Sequence, residues 1–505
     1  MKFNIRGRPD KRASPTWGEF KSAIRLVDRD SLLVQAAAAT ATIARDGIPD
    51  GWARLGMSAW NIADVARTAI AWGGFQRPEA NIETLGRLCN LNVQLADESA
   101  STDADSRETL VRIITRLFFQ QFPGQRSALA EVARTILLFG SAAEYPQGFV
   151  PEAMSQGWFE ALSGGLTIDD YVGSVFLVSV GAQNNSGGFS LEWLDGPQFQ
   201  ELEGVVSPDA LRLTFTEHLL TTASEFKTTN RRFQDLLPPP QKRFAFNPLA
   251  DKPFIGGIGT IPIAPWVQAI IAKAFPPAVY HLALPSLGEG FTHDLGKVFQ
   301  HYVGRQLDLV EGQRQVHPEV RYGSRRARTD SCDWFLDLPG LLVLIECKAR
   351  QPVESLRTGG TEWLDSVVGS IGKGITQLNR SNRDIPSLRA EGLQIDATKP
   401  RVGLMVTLEP FYLNQNRFLR EELPKAEFPI GVVSVSELES LVVLSAEELS
   451  LIFRKASDSS RENEMLLASP LAADDDRENT LLVSTWESIG LFGRVAEWTD
   501  QRAAK

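Results

Sequence analysis

Two apolar runs joined by Pro339-Gly340 constrain the fold of this chain more than any other stretch. Residues 334–338 and 341–345 are rich in aromatic and aliphatic side chains, and a Pro-Gly pair between such runs indicates two strands joined by a type II turn. The sequence therefore predicts a β-hairpin with a two-residue loop. The second run is apolar at every position, which is typical of a buried strand in the middle of a sheet.

The register of this hairpin brings charged side chains together. We expect Leu338 to pair with Leu341 across the turn. Equal steps outward then place Asp333 opposite Glu346, and Lys348 lies on the same face because side chains alternate along a strand. Facing carboxylates destabilise a sheet, so a divalent cation would compensate. A slip of one residue, to which a Pro-Gly turn is prone, would separate the two carboxylates.

The spacing of these residues resembles a nuclease signature. Asp333 is followed, after twelve residues, by Glu346-Cys347-Lys348, which resembles the D…(D/E)-x-K signature of the PD-(D/E)xK, or restriction-endonuclease-like, nuclease superfamily. The flanking hydrophobic residues around Cys332 and in 344–350 also resemble bacterial members of that group. The resemblance covers about residues 291–443. It implies a restriction-endonuclease-like α/β domain with a mixed central sheet flanked by helices.

The resemblance implies metal-dependent hydrolysis of phosphodiester bonds. Asp333 and Glu346 are the predicted ligands of Mg²⁺, with Mn²⁺ as a substitute, because carboxylate oxygens are hard ligands. The backbone carbonyl of Cys347 is a further ligand by resemblance. Lys348 is expected to orient or help deprotonate the attacking water. A salt-bridge cluster of these side chains at the rim of a sheet is the alternative interpretation.

A predicted helix over 291–309 departs from the family pattern. Its phrase 296–300 resembles the GxxFE-like phrase of many relatives but ends in Gln300, where the relatives carry a glutamate that helps the metal site. Whether Asp294 or Glu289 substitutes, and whether one or two metal ions bind, stays open.

A second predicted helix, over 362–379, follows the E-x-K strand. In related nucleases this helix often carries a glutamine or lysine toward the scissile phosphate. Gln377 or Lys373 resembles that residue, and the two lie on one face, one turn apart. Gln377 is therefore a predicted catalytic residue and Lys373 a predicted nucleic-acid contact. Surface residues without such a role would have the same spacing.

A cluster of arginines lies between the first of these helices and the hairpin. Its members are Arg314, Arg321, Arg325, Arg326 and Arg328, opposed over that span by Glu319. The formal charge of the chain is −10, so binding to nucleic acid requires a local basic patch. Arg321, Arg325, Arg326 and Arg328 are the predicted phosphate contacts. Solvated surface arginines are the alternative.

The length of the chain predicts more than one domain. At 505 residues it exceeds what one hydrophobic core usually supports. Apolar residues recur at helical spacing before the prolines at 238–240, which favours an irregular all-helical domain over 1–240. We then expect a connecting segment over 241–285, the nuclease-like domain over 286–456, and an acidic loop with a last helix over 457–505. The helices predicted in the first domain are 18–28, 31–44, 58–72, 81–96, 107–121, 128–139, 168–180 and 209–224.

Composition excludes several other classes. Three cysteines without CxxC spacing disfavour a disulfide framework or a thiolate zinc site, and five histidines without HxxxH spacing disfavour a histidine metal centre. The glycine-rich stretch 369–374 fails the spacing of a phosphate loop. No apolar run is long enough to span a bilayer, and the first residues lack a signal peptide's apolar core, so we expect a cytoplasmic protein without a membrane partner.

These observations predict an α + α/β multidomain protein that acts as a Mg²⁺-dependent DNA endonuclease. The helical domain would sense, restrain or recruit, through a homodimer or a partner protein, and a role in restriction or antiviral defence is a hypothesis from the resemblance. Two alternatives remain: a degenerate nuclease fold that binds nucleic acid or a partner without cutting, and a helical interaction protein. The sequence leaves open the choice between DNA and RNA.

Overall fold

The structure is a computed structural model that describes residues 14–95, 127–196, 207–237, 239–324, 326–349, 368–410, 423–467 and 477–489. The chain divides into two compact units. The first is drawn from Met1–Thr109, Phe176–Phe199 and Thr214–Ile271, and the second from Leu110–Val175, Gln200–Leu213 and Ala272–Lys505. Each unit combines segments that are distant in sequence. The division into contiguous domains made from the sequence stays a prediction.

Helices make up most of the described secondary structure. In chain order they are α1 (Trp17–Arg25), α2 (Arg29–Asp46), α3 (Ala59–Trp72), α4 (Ile82–Val93), α5 (Ala128–Phe139), α6 (Trp158–Ser163), α7 (Ile168–Asn184), α8 (Pro208–Leu213), α9 (Ala223–Asp235), α10 (Gln268–Ala272), α11 (Pro276–Leu307), α12 (Lys373–Arg383), α13 (Ile385–Ala390), α14 (Val435–Leu441), α15 (Ala446–Asp458) and α16 (Thr480–Ser488). Within the described ranges, no helix has the length and apolar character needed to cross a membrane.

The starts of the first helices follow from their capping residues. Thr16 and Glu19 form a capping box at α1, and the side chains of Asp28, Ser58 and Asn81 accept a backbone N–H in the first turn of α2, α3 and α4. The four helices were predicted from their apolar spacing, and they lie close to the predicted bounds. The helix predicted over 107–121 lies outside the described residues.

One predicted helix is wrong at its end. The sequence predicted a helix over 209–224, but a π-helix at Thr214–Leu219 leads into strand β1 (Leu220–Thr222). This strand pairs in parallel with β2 (Phe254–Gly256), more than thirty residues later in the chain. A three-residue strand held by so distant a partner has no local periodicity, so the first 240 residues are not all helical.

The second unit contains a mixed sheet. Its strands are β3 (Gln315–Pro318), β6 (Trp334–Leu338), β7 (Leu341–Lys348), β8 (Arg401–Thr407) and β9 (Ile430–Ser434), and a separate hairpin is formed by β4 (Arg321–Ser324) and β5 (Ala327–Asp330). Among the described residues, the sheet order is β3-β6-β7-β8-β9. The pairs β3–β6 and β6–β7 are antiparallel, and β7–β8 and β8–β9 are parallel. The predicted combination of helices with a mixed α/β sheet in the C-terminal half is confirmed.

Helix α12 packs on the face of the sheet that carries the charged residues. Its apolar residues Ile375 and Leu378 join Phe335, Leu342 and Leu344 in one buried cluster. Because side chains alternate along β7, the residues that follow Leu344 on this face are Glu346 and Lys348. The predicted second helix therefore lies over the predicted site, although its described part begins as a π-helix at Val368–Gly372.

A buried ion pair ties other helices of the second unit together. Arg134 of α5 donates to both carboxylate oxygens of Glu439 in α14, and Glu131 lies 2.9 Å from the same guanidinium. The hydroxyl of Tyr302 in α11 also donates to Glu439 at 2.6 Å. A buried charge is tolerated only when it is paired and hydrogen-bonded, and this cluster meets that condition. It fixes α5 and α14 to the helix that carries Gln300.

Candidate active site

The hairpin forms with the register predicted from the sequence. Leu338 pairs with Leu341, and Trp334 pairs with Ile345. Gly340 has a φ of 69°, which the third residue of a type II turn requires and which glycine adopts without strain. The predicted register is therefore confirmed, and one more step outward places Asp333 beside Glu346.

Asp333 is anchored to the neighbouring strand. It precedes the first residue of β6, and its Oδ2 accepts the backbone N–H of Cys347 at 2.6 Å. In a strand the N–H and C=O of one residue point to the same edge, so the carbonyl of Cys347 points toward Asp333 as well. The Cys347 thiol lies on the opposite face from Glu346, and burial raises its pKa well above the ordinary value.

Lys348 connects the strand to helix α12. Its Nζ lies 2.6 Å from Oε1 of Glu346 and donates to Oε1 of Gln377 at 3.0 Å. Glu346 is 2% exposed, whereas the Lys348 side chain keeps 21% of its surface accessible. The ammonium is thus held between two oxygens, and part of the Lys348 side chain stays accessible to solvent. The predicted residues Asp333, Glu346, Lys348 and Gln377 lie together in the fold.

Gly374 permits this contact. A Cβ at this position would lie 2.7 Å from Cε of Met405 and 3.3 Å from Cε of Lys348. The first separation is too short for a real Cβ, so the Met405 side chain would have to move to make room for one. The glycine lets α12 approach the sheet closely enough for Gln377 to reach Lys348.

The pKa values of Asp333 and Glu346 are both raised by their surroundings. Burial raises the pKa of Glu346 to about 8, and repulsion from Asp333 adds to this, whereas Lys348 opposes it. Burial also raises the pKa of Asp333 to about 6, against the hydrogen bond from Cys347. Within the described residues, Oε2 of Glu346 is buried without a hydrogen-bond partner. The site therefore holds a buried acceptor without a partner and two carboxyl groups that keep their protons to higher pH than free carboxyls do.

Two residues near the site were missed by the sequence analysis. Glu319 raises the pKa of both carboxyl groups, and Lys297 lowers that of Asp333. The pairing of Pro318 with Trp334, continued by one residue, places Glu319 beside Asp333. Glu319 directly after β3, Asp333 directly before β6 and Glu346 in β7 therefore follow one another at this end of the sheet. Glu319 was visible only as the single acid among arginines, because β3 has no clear strand pattern.

Gln300 contacts Glu319 rather than the two central carboxylates. Its Nε2 donates to Oε2 of Glu319 at 3.3 Å, and its Oε1 accepts from Lys297 at 3.2 Å. Its backbone carbonyl accepts the indole N–H of Trp334 at 2.8 Å, which holds α11 against the start of β6.

The two acids considered as substitutes for a helix glutamate lie elsewhere. Asp294 is fully buried, and its Oδ2 accepts the backbone N–H groups of Ala153 and Met154 at 2.7 and 2.9 Å. It therefore anchors a loop. Glu289 is exposed on the same helix.

The predicted phosphate contacts lie on the β4–β5 hairpin and on α12. Arg321, Arg326 and Arg328 are exposed, and Arg321 lies 3.5 Å from Asp330 in a surface ion pair. Lys373 is exposed in the first turn of α12. Arg325 lies outside the described residues. Arg314, by contrast, donates to the backbone carbonyls of Leu307 and Asp308, which gives it a structural contact at the end of α11.

Comparisons with protein-family models, with curated proteins and with solved structures found no match for this chain. The chemistry of the site must therefore be inferred from its own residues.

Proposed function

We propose that this protein is a metal-dependent nuclease that hydrolyses phosphodiester bonds, with DNA as the substrate. The observation that carries the proposal is the meeting of Asp333, Glu346, Lys348 and Gln377 on one face at the end of β7. Two acids and a lysine on a buried strand end are the groups that hydrolysis of a phosphate diester needs. A role in restriction or antiviral defence stays a prediction from the family resemblance.

The donor set fits an oxygen-ligated divalent cation such as Mg²⁺, with Mn²⁺ as a substitute. Asp333 and Glu346 supply hard carboxylate oxygens, and the carbonyl of Cys347 points to the same edge. The unpartnered Oε2 of Glu346 and the raised pKa values of both acids indicate that positive charge is needed there. When bound, the ion would offset charge on the phosphate and lower the pKa of a water molecule.

The side chains of the protein would divide the remaining work. The ammonium of Lys348 lies beside Glu346 on a partly accessible side chain, so it would donate to a non-bridging phosphate oxygen and stabilise the charge that develops in the transition state. Gln377 would hold Lys348 in this orientation through its Oε1. Asp333 and Glu346 would act as the anionic ligands, with Asp333 fixed by the N–H of Cys347.

The arginines of the β4–β5 hairpin would hold the phosphate backbone. Arg321, Arg326 and Arg328 are exposed on a short two-stranded hairpin whose second strand ends immediately before the segment that carries Asp333. Arginine binds phosphate oxygens through its planar fork of N–H donors. This local positive charge would offset the net negative charge of the chain.

The test is cleavage of supercoiled plasmid DNA and of single-stranded RNA by the full chain, with Mg²⁺, Mn²⁺ or EDTA. We expect cutting that requires the metal and that disappears in Asp333→Asn and in Lys348→Met. Asp337→Asn is the matched control, because Asp337 lies in β6, the strand that follows Asp333, and its partner is Lys399. Cutting that persists in EDTA, or that survives Asp333→Asn, would refute the assignment.

A second candidate is a protein that binds nucleic acid without cutting it. Across the parts of the chain that are described, no group of three or more His, Cys, Asp or Glu side chains is arranged to hold a metal ion. Gln300 adds no carboxylate to the site and instead engages Glu319. This candidate predicts salt-dependent DNA binding that is the same with Mn²⁺ and with EDTA, and no cutting under any condition.

A further inference from the structure

Helix α12 presents one polar stripe to the site and to the β4–β5 hairpin. The stripe consists of Gln377, Arg380 and Ser381 in α12 and of Asp384 at its C-cap, which recur at the spacing of one helix face. Gln377 accepts from Lys348, and Arg380 donates to the backbone carbonyl of Asp330 at 2.8 Å.

The other two members of the stripe contact the same region. Ser381 accepts the backbone N–H of Cys332 at 2.8 Å, and Asp384 accepts the hydroxyl of Tyr322 at 2.6 Å. This polar stripe therefore contacts Lys348, the residue before Asp333, and both strands of the β4–β5 hairpin.

Ser381 lies next to the least supported part of the site. Strand β6 begins at Trp334, so Asp333 precedes the strand and has no ladder partner of its own. The backbone N–H and C=O of Cys332, the preceding residue, are held instead by two serine hydroxyls. Ser381 accepts the N–H of Cys332, and Ser331 donates to the carbonyl of the same residue at 2.8 Å. Both serines are buried, at 0% and 1% exposure respectively.

These hydrogen bonds restrain Asp333 through the backbone of the residue before it. The backbone before Asp333 is fixed by Ser381, and the carboxylate is fixed by the N–H of Cys347. Loss of the Ser381 hydroxyl would leave the N–H of Cys332 buried without an acceptor, and the peptide would move to find one. A small displacement there is carried directly to Asp333, which is the next residue.

We propose that Ser381 is a positioning residue for Asp333, and that it acts through the backbone of Cys332. The proposal rests on the proposed function, because it assigns Ser381 to the cation-binding half of that site. Gln377 acts on Lys348 from the same helix face, so α12 contacts both the lysine and the backbone that precedes Asp333. A hydroxyl with only a structural role would affect unfolding and leave cation affinity and turnover unchanged.

The test compares Ser381→Ala with Ser387→Ala, an exposed serine in α13. In the full chain we expect Ser381→Ala to lower both kcat and Mn²⁺ affinity by about 10- to 100-fold, as loss of a supporting hydrogen bond typically does. The KM for DNA should stay within a factor of about 2, since the phosphate-contacting arginines are unchanged. Ser387→Ala should match wild type in every measurement. All assays are run well below the measured unfolding temperature.

Each result bears on the proposal. Unchanged Mn²⁺ affinity and kcat in Ser381→Ala, with or without a lower Tm, would overturn it and leave the nuclease assignment intact. If wild type binds Mn²⁺ but does not cut, the nuclease assignment fails and the affinity of Ser381→Ala alone decides the positioning role. Wild type that neither cuts nor binds Mn²⁺ would overturn both. If the alanine variant does not fold, Ser381→Cys keeps a slightly larger and weaker acceptor at this position and should give a smaller loss in both quantities.

Discussion

The ammonium of Lys348 lies between Glu346 of its own strand, at 2.6 Å, and Gln377 of helix α12, at 3.0 Å. The first contact follows from the alternation of side chains along β7. The second depends on how closely the helix approaches the sheet. The orientation of the lysine is therefore decided jointly by a strand and a helix.

Gln377→Leu should slow cleavage more than Lys373→Leu. Gln377 contacts Lys348, whereas Lys373 is exposed one turn earlier on the same helix. We expect kcat to fall by about 10-fold or more for Gln377→Leu, in the range of lost supporting contacts, with little change for Lys373→Leu. Single-turnover cleavage of plasmid DNA measures both. A larger loss for Lys373→Leu would mean that the lysine, not the glutamine, serves the site.

Gly374→Leu should separate α12 from the sheet. The new side chain would meet Met405 and Lys348, and misplacement by about 1 Å can cost a catalytic site as much as 10²-fold in rate. The control is Gly369→Leu, because a Cβ at Gly369 meets no atom within 4 Å. Kinetics and thermal unfolding of the two variants are compared. Full activity in Gly374→Leu would show that close approach of the helix is not required.

Binding of Mn²⁺ should release protons. The pKa values of Asp333 and Glu346 are raised to about 6 and about 8, so both acids retain protons at pH values where free carboxyls have lost them. Since the cation binds the deprotonated form, affinity should fall as pH drops through 8 and then through 6, by up to about 10-fold per pH unit for each proton displaced. Calorimetry in buffers of different ionisation enthalpy counts the protons.

Glu346→Gln is the matched variant for this titration. This variant should lack the fall in Mn²⁺ affinity near pH 8, and it should bind Mn²⁺ more weakly than wild type at every pH. Affinity that does not change between pH 6 and pH 8 in wild type would contradict the prediction.

The hairpin arginines should determine the salt dependence of DNA binding. Replacing Arg321, Arg326 and Arg328 by glutamine should reduce the slope of log K against log salt by about 1 for each lost phosphate contact. Arg321 should contribute least, because Asp330 already lies 3.5 Å from it. Fluorescence anisotropy with a labelled duplex gives the slopes, and Arg389→Gln, an exposed arginine on α13, is the control. An unchanged slope in the triple variant would place the DNA elsewhere.

The first unit should show its own pH dependence of stability. Burial raises the pKa of Asp64 to about 6, against the pull of Arg67 and Arg243. Because the folded state keeps this proton after the unfolded state has lost it, stability is lost as pH rises from about 4 to 6 and is constant above that. Asp64→Asn should remove this loss. The free energy of unfolding of the variant, relative to wild type, should then be higher at pH 8 than at pH 4, by on the order of a few kcal/mol at most. Urea unfolding at both pH values measures the difference. Equal pH dependence in the two proteins would contradict the prediction.

Local signals in the sequence predicted the centre of the fold. The Pro339-Gly340 turn and the apolar run after it determine the hairpin and its register, so the meeting of Asp333, Glu346 and Lys348 could be predicted from counting alone. Apolar spacing predicted helices such as 58–72, which is observed as Ala59–Trp72. Each of these features depends on residues that are close together in the chain.

The features that the sequence did not reveal depend on distant segments. Ser381 contacts Cys332 across almost fifty residues, and Glu319 meets the site because β3 pairs with β6. Strand β1 exists only through β2. A single sequence carries no local pattern for such pairings, and the role of Gly374 became apparent only from the atoms that surround it.

The two-residue turn also determines which side chains of the hairpin meet at the site. Side chains alternate faces along both strands, so a slip of one residue in the pairing of β6 with β7 would place Asp333 on the opposite face from Glu346 and Lys348. The turn geometry that fixes the register therefore decides whether the two carboxylates meet. A substitution that disfavours the positive φ of Gly340 would weaken this register while leaving every catalytic residue in the sequence.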